Sequence, residues 1–288
     1  MATYRAPKTR LHREFLYLNH DTVLNSLSAL EAGAVDEIIQ KVNEAREGGF
    51  EGTVGAGPVK AGGGKKKAAS IEEELVKTRT WFSAFESWHR YLEEADAIGT
   101  FDGWDLAVRN ALQVGDTIRF PGTLELHPVH KVFRSFLSFA ESASRPGNVF
   151  SQKGPELQET KKIARQMSEW MGGRNEKPHL PMYVQPAGVC EPRVIAALQE
   201  QYLIGSAEEI EGVYTVVAQV SALLKEGETL STIRVVRNVP PTQVEVDTIN
   251  EALTHFIEPA KALGVDIAPD DIKIPSPAVV LQPIAIYR

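Results

Sequence analysis

Phe15 to Leu18 form a short apolar run, and the period changes directly after it. Val23, Leu27 and Leu30 then recur at helical spacing, as do Val35, Ile38 and Val42 beyond Gly33. The stretch REFLYLNHDTVLNSLSALEAG therefore predicts a buried strand over 14–18 and a helix after it, with Asn19 or Asp21 as its cap. Ser70 and Glu73 have the spacing of a capping box and predict a second helix start. Its buried face carries Leu75, Trp81, Phe82, Phe85, Trp88 and Leu92, a run of aromatic residues suited to core packing, or to an exposed stripe for a partner or membrane.

Asp102 is placed to cap a short helix in TFDGWDLAVRNAL. QVGDTIRFPGTLEL alternates through two short strands joined by a turn at Pro121-Gly122. Helical spacing returns over Val129–Phe139 and near 157–171, and EPRVIAALQEQYL at 191–203 predicts an amphipathic helix with Pro192 in its first turn. Two β-branched runs, 213–224 and 230–239, flank Glu226-Gly227 as the strongest strand signal in the chain. A helix over 244–263 ends at Gly264, and 278–287 is a last strand, which Pro283 makes an edge or bent one.

These elements predict an α+β fold. Its sheet is mainly antiparallel and joins the N-terminal strand to the C-terminal strands, with a helical middle lobe bearing the small Pro-Gly hairpin. The expected organisation is a lobe over 14–140 with a flexible Gly/Lys arm at 48–69, a linker at 141–156, and a C-terminal α+β lobe over 157–288.

Composition narrows the function classes. The hydrophobic fraction of 43% and charged fraction of 24% are those of a globular protein. No apolar run approaches the roughly 18–20 residues of a spanning helix. The basic start MATYRAPKTRLHR has no apolar core behind it, and the lone cysteine, Cys190, gives no disulfide framework, so a cytosolic location is expected. The net charge of −7 comes from residues beyond about 90, which makes nucleic acid an unfavourable partner.

GTVGAGPVKAGGGKKKAAS fails as a phosphate loop. With Gly64-Lys65 as the Gly-Lys pair, the first glycine position falls on Val59 and the hydroxyl position on Lys66. Glu72, Glu73 and Glu74 would also repel a phosphate at the following helix start. The stretch reads instead as a flexible or loosely paired β-excursion with solvated lysines, or as a mobile arm whose Lys60, Lys65, Lys66 and Lys67 touch an acidic surface: membrane lipid, nucleic acid or a protein partner. No dinucleotide fingerprint or Gly-x-Ser-x-Gly elbow is present, and no cofactor is expected. His127 and His130 have a two-histidine spacing without a third ligand nearby, so no metal is expected; the first would stand at a helix start, the second on its solvent face. Cys190 precedes a predicted helix, whose N-terminus lowers a thiol's pKa. Cys190, His127 and His130 are the catalytic candidates, while Asp270-Asp271 read as solvated turn residues.

REFLYLNHDTVLNSLSALEAG, VGDTIRFPGTLEL, EIEGVYTVVAQVSALL and PAVVLQPIAIYR, in that order, resemble an uncharacterised bacterial family catalogued only as a domain of unknown function. The resemblance runs from about residue 13 to the end. That family usually has an acidic residue after the Leu of YL; Asn19 stands here, which argues against acid–base work at this position. No established catalytic residue carries over. The resemblance implies a bacterial or phage-encoded cytosolic protein of a defence or stress locus. The leading expectation is a non-enzymatic interaction or sensor protein with a protein partner. The alternatives are a conditional membrane-active effector using 52–69 and the aromatic helix 74–92, and a nucleotide- or nucleic-acid-processing enzyme.

Overall fold

The computed structural model describes residues 13–31, 81–101, 103–172, 179–186, 191–205, 210–237, 241–262 and 264–288. Contacts divide them into two units, one spanning 19–98 and the other holding the remainder. The strands are β1 (Phe15–Leu18), β2 (Gly99–Thr100), β3 (Thr117–Leu126), β4 (His179–Pro186), β5 (Arg193–Gln199), β6 (Gly212–Leu223), β7 (Thr229–Ser231), β8 (Lys273–Pro275) and β9 (Ala278–Tyr287). The helices are α1 (His20–Glu31), α2 over 81–94, α3 (Leu106–Ala111), α4 (Pro128–Ser144), α5 (Gly154–Gly172), α6 (Ile233–Val236), α7 (Gln243–Ala262) and α8 (Pro269–Ile272).

In the larger unit five strands close on themselves. β3 pairs with β4, β4 with β5, β5 with β9, β9 with β6, and β6 again with β3. Every pair in the ring is antiparallel except β5 with β9. The fold is α+β, but its main sheet is a mixed closed barrel and not the mainly antiparallel sheet that the sequence predicts. The expected Pro-Gly hairpin is the first reason. β3 runs straight through Pro121-Gly122 because it serves two neighbours, β6 along Thr117–Leu124 and β4 along Gly122–Leu126. At Gly122 an added Cβ would lie 3.0 Å from Val184 Cγ1 and 3.2 Å from the Phe120 ring, so the glycine marks close packing inside the barrel, not a turn.

The helix predicted over 191–203 is strand β5. Val194, Ala196 and Leu198 enter the barrel core, while Ile195 and Ala197 pack outside against Leu224, Val235 and Ile274. A strand buried on both faces loses the alternation that identifies strands in sequence. The run 230–239 is likewise not the partner of β6. β7 ends at Ser231 and pairs with β8, and the chain then turns into α6. Ile233, Val235 and Val236 are all buried there, so their β-branched character reflects packing, not strand pairing.

β1 pairs antiparallel with β9, from Phe15 opposite Tyr287 to Leu18 opposite Ala285. Glu14 and Arg288 exchange backbone hydrogen bonds of 3.0 and 3.1 Å, so both ends of the described chain lie in one sheet, as expected. β9 is bent as Pro283 predicts, with a register shift between the Pro283 and Ala285 pairings, but it is an inner strand and not an edge. Phe120, Leu124, Leu180, Met182, Leu198, Val216, Leu281 and Ile286 fill the interior. Each such side chain contributes about 1.5–3 kcal/mol on burial.

Two long connections leave the barrel. The one between β3 and β4 contains α4 and α5; the one between β6 and β9 contains β7, α6, α7, α8 and β8. Val129 and Phe133 of α4 pack with Val236, Leu253 of α7 and Ile272 of α8 in a second core. The stretch 141–156, read from composition as a linker, covers the end of α4 and the start of α5, both within the larger unit. α3 is capped by Asp105, whose carboxylate accepts from Val108 N at 2.8 Å, while Asp102 lies outside the described residues.

In the smaller unit Asn19 caps α1, its Oδ1 accepting from Thr22 N at 3.0 Å. Val23 and Leu27 are fully buried, but Leu30, expected on the same stripe, is exposed. On α2, Phe85 and Trp88 are buried with ring centroids 5.9 Å apart, and Trp81 stacks on His20 at 3.9 Å. The Gly/Lys arm and the Ser70–Glu73 box lie outside the described residues. Asn19→Ala removes the cap and is expected to cost about 1 kcal/mol, read as a lowered denaturant midpoint.

Candidate functional site

His127 closes β3 and leads into α4. Its backbone N–H donates to Pro181 O at 3.0 Å, which fixes the corner against β4. The imidazole is fully buried, 4.6 Å from the Tyr183 ring, and its Nε2 lies 3.4 Å from Thr232 Oγ1. The Thr232 hydroxyl donates to the Asp271 carbonyl, so it accepts from His127 Nε2–H. Among the described residues the buried acceptor His127 Nδ1 then has no partner. Tyr183 OH donates to Asp271 Oδ1 at 2.8 Å, and the other carboxylate oxygen accepts from Ala268 N at 2.9 Å. Arg193 Nη1 reaches Tyr183 OH at 3.2 Å, Asp271 Oδ1 at 3.4 Å and the Asp270 carbonyl at 3.0 Å. Asp271, read from sequence as a solvated turn residue, is buried because this network gives its charge partners.

Burial, helped by His130 and Arg193, lowers the His127 pKa from 6.5 to about 3. His130, expected on a solvent face, is buried on α4; burial and Arg134 lower its pKa to about 4, and its Nδ1 also lacks a partner. Burial first, then the neighbouring Asp271, raise the Tyr183 pKa above its ordinary 10. At neutral pH the cluster thus holds neutral imidazoles of low basicity, a protonated phenol and one paired carboxylate. It ties strands β4 and β5 to the segment Ser231–Thr232 and to α8. Among the described residues no three His, Cys, Asp or Glu side chains converge as a metal shell requires. Cys190, Lys60, Lys65, Lys66 and Lys67 lie outside the described residues.

A second feature lies on the outer wall of the barrel. A groove of about 450 Å³ runs between α6 and the strands β5, β9 and β6. Its floor includes Ala197, Ala222 and Val280, and its rim carries Arg234, Arg237, Gln199 and Gln282. The floor owes its shape to a β-bulge, because Val220 pairs with Leu281 and Ala222 with Val280, leaving Ser221 as the extra residue. Ser221 Oγ donates to the Val280 carbonyl at 2.9 Å, and both Ser221 and Ala222 line the groove. A smaller cavity of about 280 Å³ involves Leu16, Tyr214 and Arg288. There Arg288 is already engaged, stacked 4.4 Å from the Tyr214 ring centroid and donating to its hydroxyl at 3.0 Å.

The family described as Domain of unknown function (DUF6414) matches residues 12–287. The chain belongs to the DUF6414 family. No curated protein and no solved structure matches it. In this DUF6414 chain His127 and His130 stand out as candidates from sequence, whereas Tyr183, Arg193, Asp271, Arg234 and Arg237 do not. One signal was available. The arginines of IRVVR stand three apart, which places them on one face of a helical turn but on opposite faces of a strand.

Proposed function

We propose that the chain is a non-enzymatic interaction or sensor protein, with the closed barrel as a rigid scaffold and the groove beside α6 as its receiving surface. The observation that carries this reading is the groove itself, an apolar floor with a cationic rim on a wall whose strands are fixed on both sides. The buried His127–Tyr183–Asp271 cluster supports it in a second way. Tyr183, Asp271 and Arg193 hold one another, and the His127 imidazole is a weak base at neutral pH.

The connectivity lends support by analogy. Numbered along the chain, the ring runs first, second, third, fifth, fourth, with the third and fifth strands parallel. Small barrels that bind oligonucleotides and oligosaccharides share this order and bind across the face of their second and third strands, between the first–second and fourth–fifth connections. In this chain those are the two long connections, and the groove lies against the second. Here the groove takes in the third strand, β5, and extends over the fourth and fifth.

The test is to incubate the purified protein with an extract of producing cells, desalt it, and identify by mass spectrometry what is retained and what is released. Retention of a compound or protein, released unchanged, is expected. Release of a chemically altered product would assign the chain to the enzymes.

A further inference from the structure

We propose that the groove beside α6 binds a small amphipathic acid, its carboxylate or phosphate head held by Arg234 and Arg237 and its apolar body lying on Ala197, Ala222 and Val280. The proposal rests on the sensor reading and adds the ligand class.

Three observations concern the head group. Arg237 donates through Nη1 to Glu245 Oε1 at 3.2 Å, yet among the described residues its buried Nε has no acceptor. A buried donor left unmade is costly, so an acceptor arriving in the groove is favoured. Arg234, on the same helical turn, is exposed and reaches Gln243 Oε1 at 3.4 Å; among the described residues it meets no carboxylate. Among the described residues no Asp or Glu lines the groove, so although Glu245 balances Arg237 from outside it, the described rim faces the groove with cations and no carboxylate.

The remaining observations concern the body of the ligand. The volume of about 450 Å³ lies within the roughly 300–1,000 Å³ of small-molecule sites. A peptide strand would need an open sheet edge, but β5, β6 and β9 are each paired on both sides in the ring. A polynucleotide would need a track of cations for successive phosphates, and among the described residues this rim supplies two guanidinium groups.

Isothermal titration of the full chain with octanoate, octyl phosphate, 1-octanol and inorganic phosphate tests the assignment. Saturable 1:1 binding of octanoate, octyl phosphate or both is expected, at least about tenfold tighter than 1-octanol or inorganic phosphate, since charge-assisted bonds distinguish them. The acid that binds tighter identifies the head. Arg234→Gln, at an exposed position, is expected to weaken that binding about tenfold. Ser221→Trp, which fills the groove from its exposed bulge, is expected to abolish it, with unchanged thermal unfolding showing that both variants fold. Equal binding of 1-octanol and octanoate, affinity unaltered by Arg234→Gln, or no saturable binding of either acid overturns the proposal. In the last case a compound still retained from cell extract would leave the sensor reading standing without the acid.

Discussion

Lowering the pH from 7 to 4 is expected to remove about 3 kcal/mol of stability through each of His127 and His130. Their folded-state pKa values of about 3 and about 4 lie below the ordinary 6.5. Between those limits the unfolded chain binds protons that the folded chain refuses. The contribution is fully present above about pH 6.5 and is lost as the pH falls toward 4. Urea titrations at half-unit pH steps measure it. His130→Phe should flatten the acid limb relative to the wild type, because a phenyl ring fills the same buried position without titrating. An acid limb identical in the two proteins would show that His130 takes up its proton in the folded state as readily as in the unfolded chain.

Asp271→Ala is expected to cost about 3 kcal/mol, since removing one member of a buried charged pair leaves its partners without compensation. Tyr183 OH, Ala268 N–H and one Arg193 contact lose their acceptor together. Arg193 keeps the Asp270 carbonyl at 3.0 Å and is partly exposed, which holds the cost toward the lower end of such losses. Asp271→Asn retains acceptor capacity and should cost less than the alanine variant. Urea midpoints at pH 7 read both. If Asp271→Ala shifted stability by less than 1 kcal/mol, the network would not be what fastens α8 to the barrel.

Strands whose runs are aromatic or β-branched were legible before the structure, and β5, rich in alanine and leucine, and β3, interrupted by Pro121-Gly122, were not. β1, β6 and β9 stand close to their predicted bounds, and Asn19 caps α1 as its position implied. β5 was hidden because both its faces are apolar, and β3 was cut in two because Pro121-Gly122 has the composition of a turn. Both errors have one physical source. Burial by partners distant in sequence determines these strands, and local pattern carries no trace of a neighbour such as β9 lying some eighty residues away from β5. The candidate site was harder still. His127 was visible as a residue type, but Tyr183, Arg193 and Asp271 meet only through barrel closure, and Arg237 acquires an orphaned donor only when α6 folds against the wall.

The stave that completes the ring comes last. β9 is hydrogen-bonded to β1, β5 and β6 at once, so a nascent chain not yet extended through Ala278–Tyr287 would expose three unsatisfied strand borders. Translation must therefore reach residue 287 before the barrel can shut, and pairing across more than 250 residues makes that step intrinsically slow. A ribosome pause or a premature stop ahead of residue 278 would leave an adhesive intermediate dependent on chaperones, whereas the finished ring hides those borders from other copies.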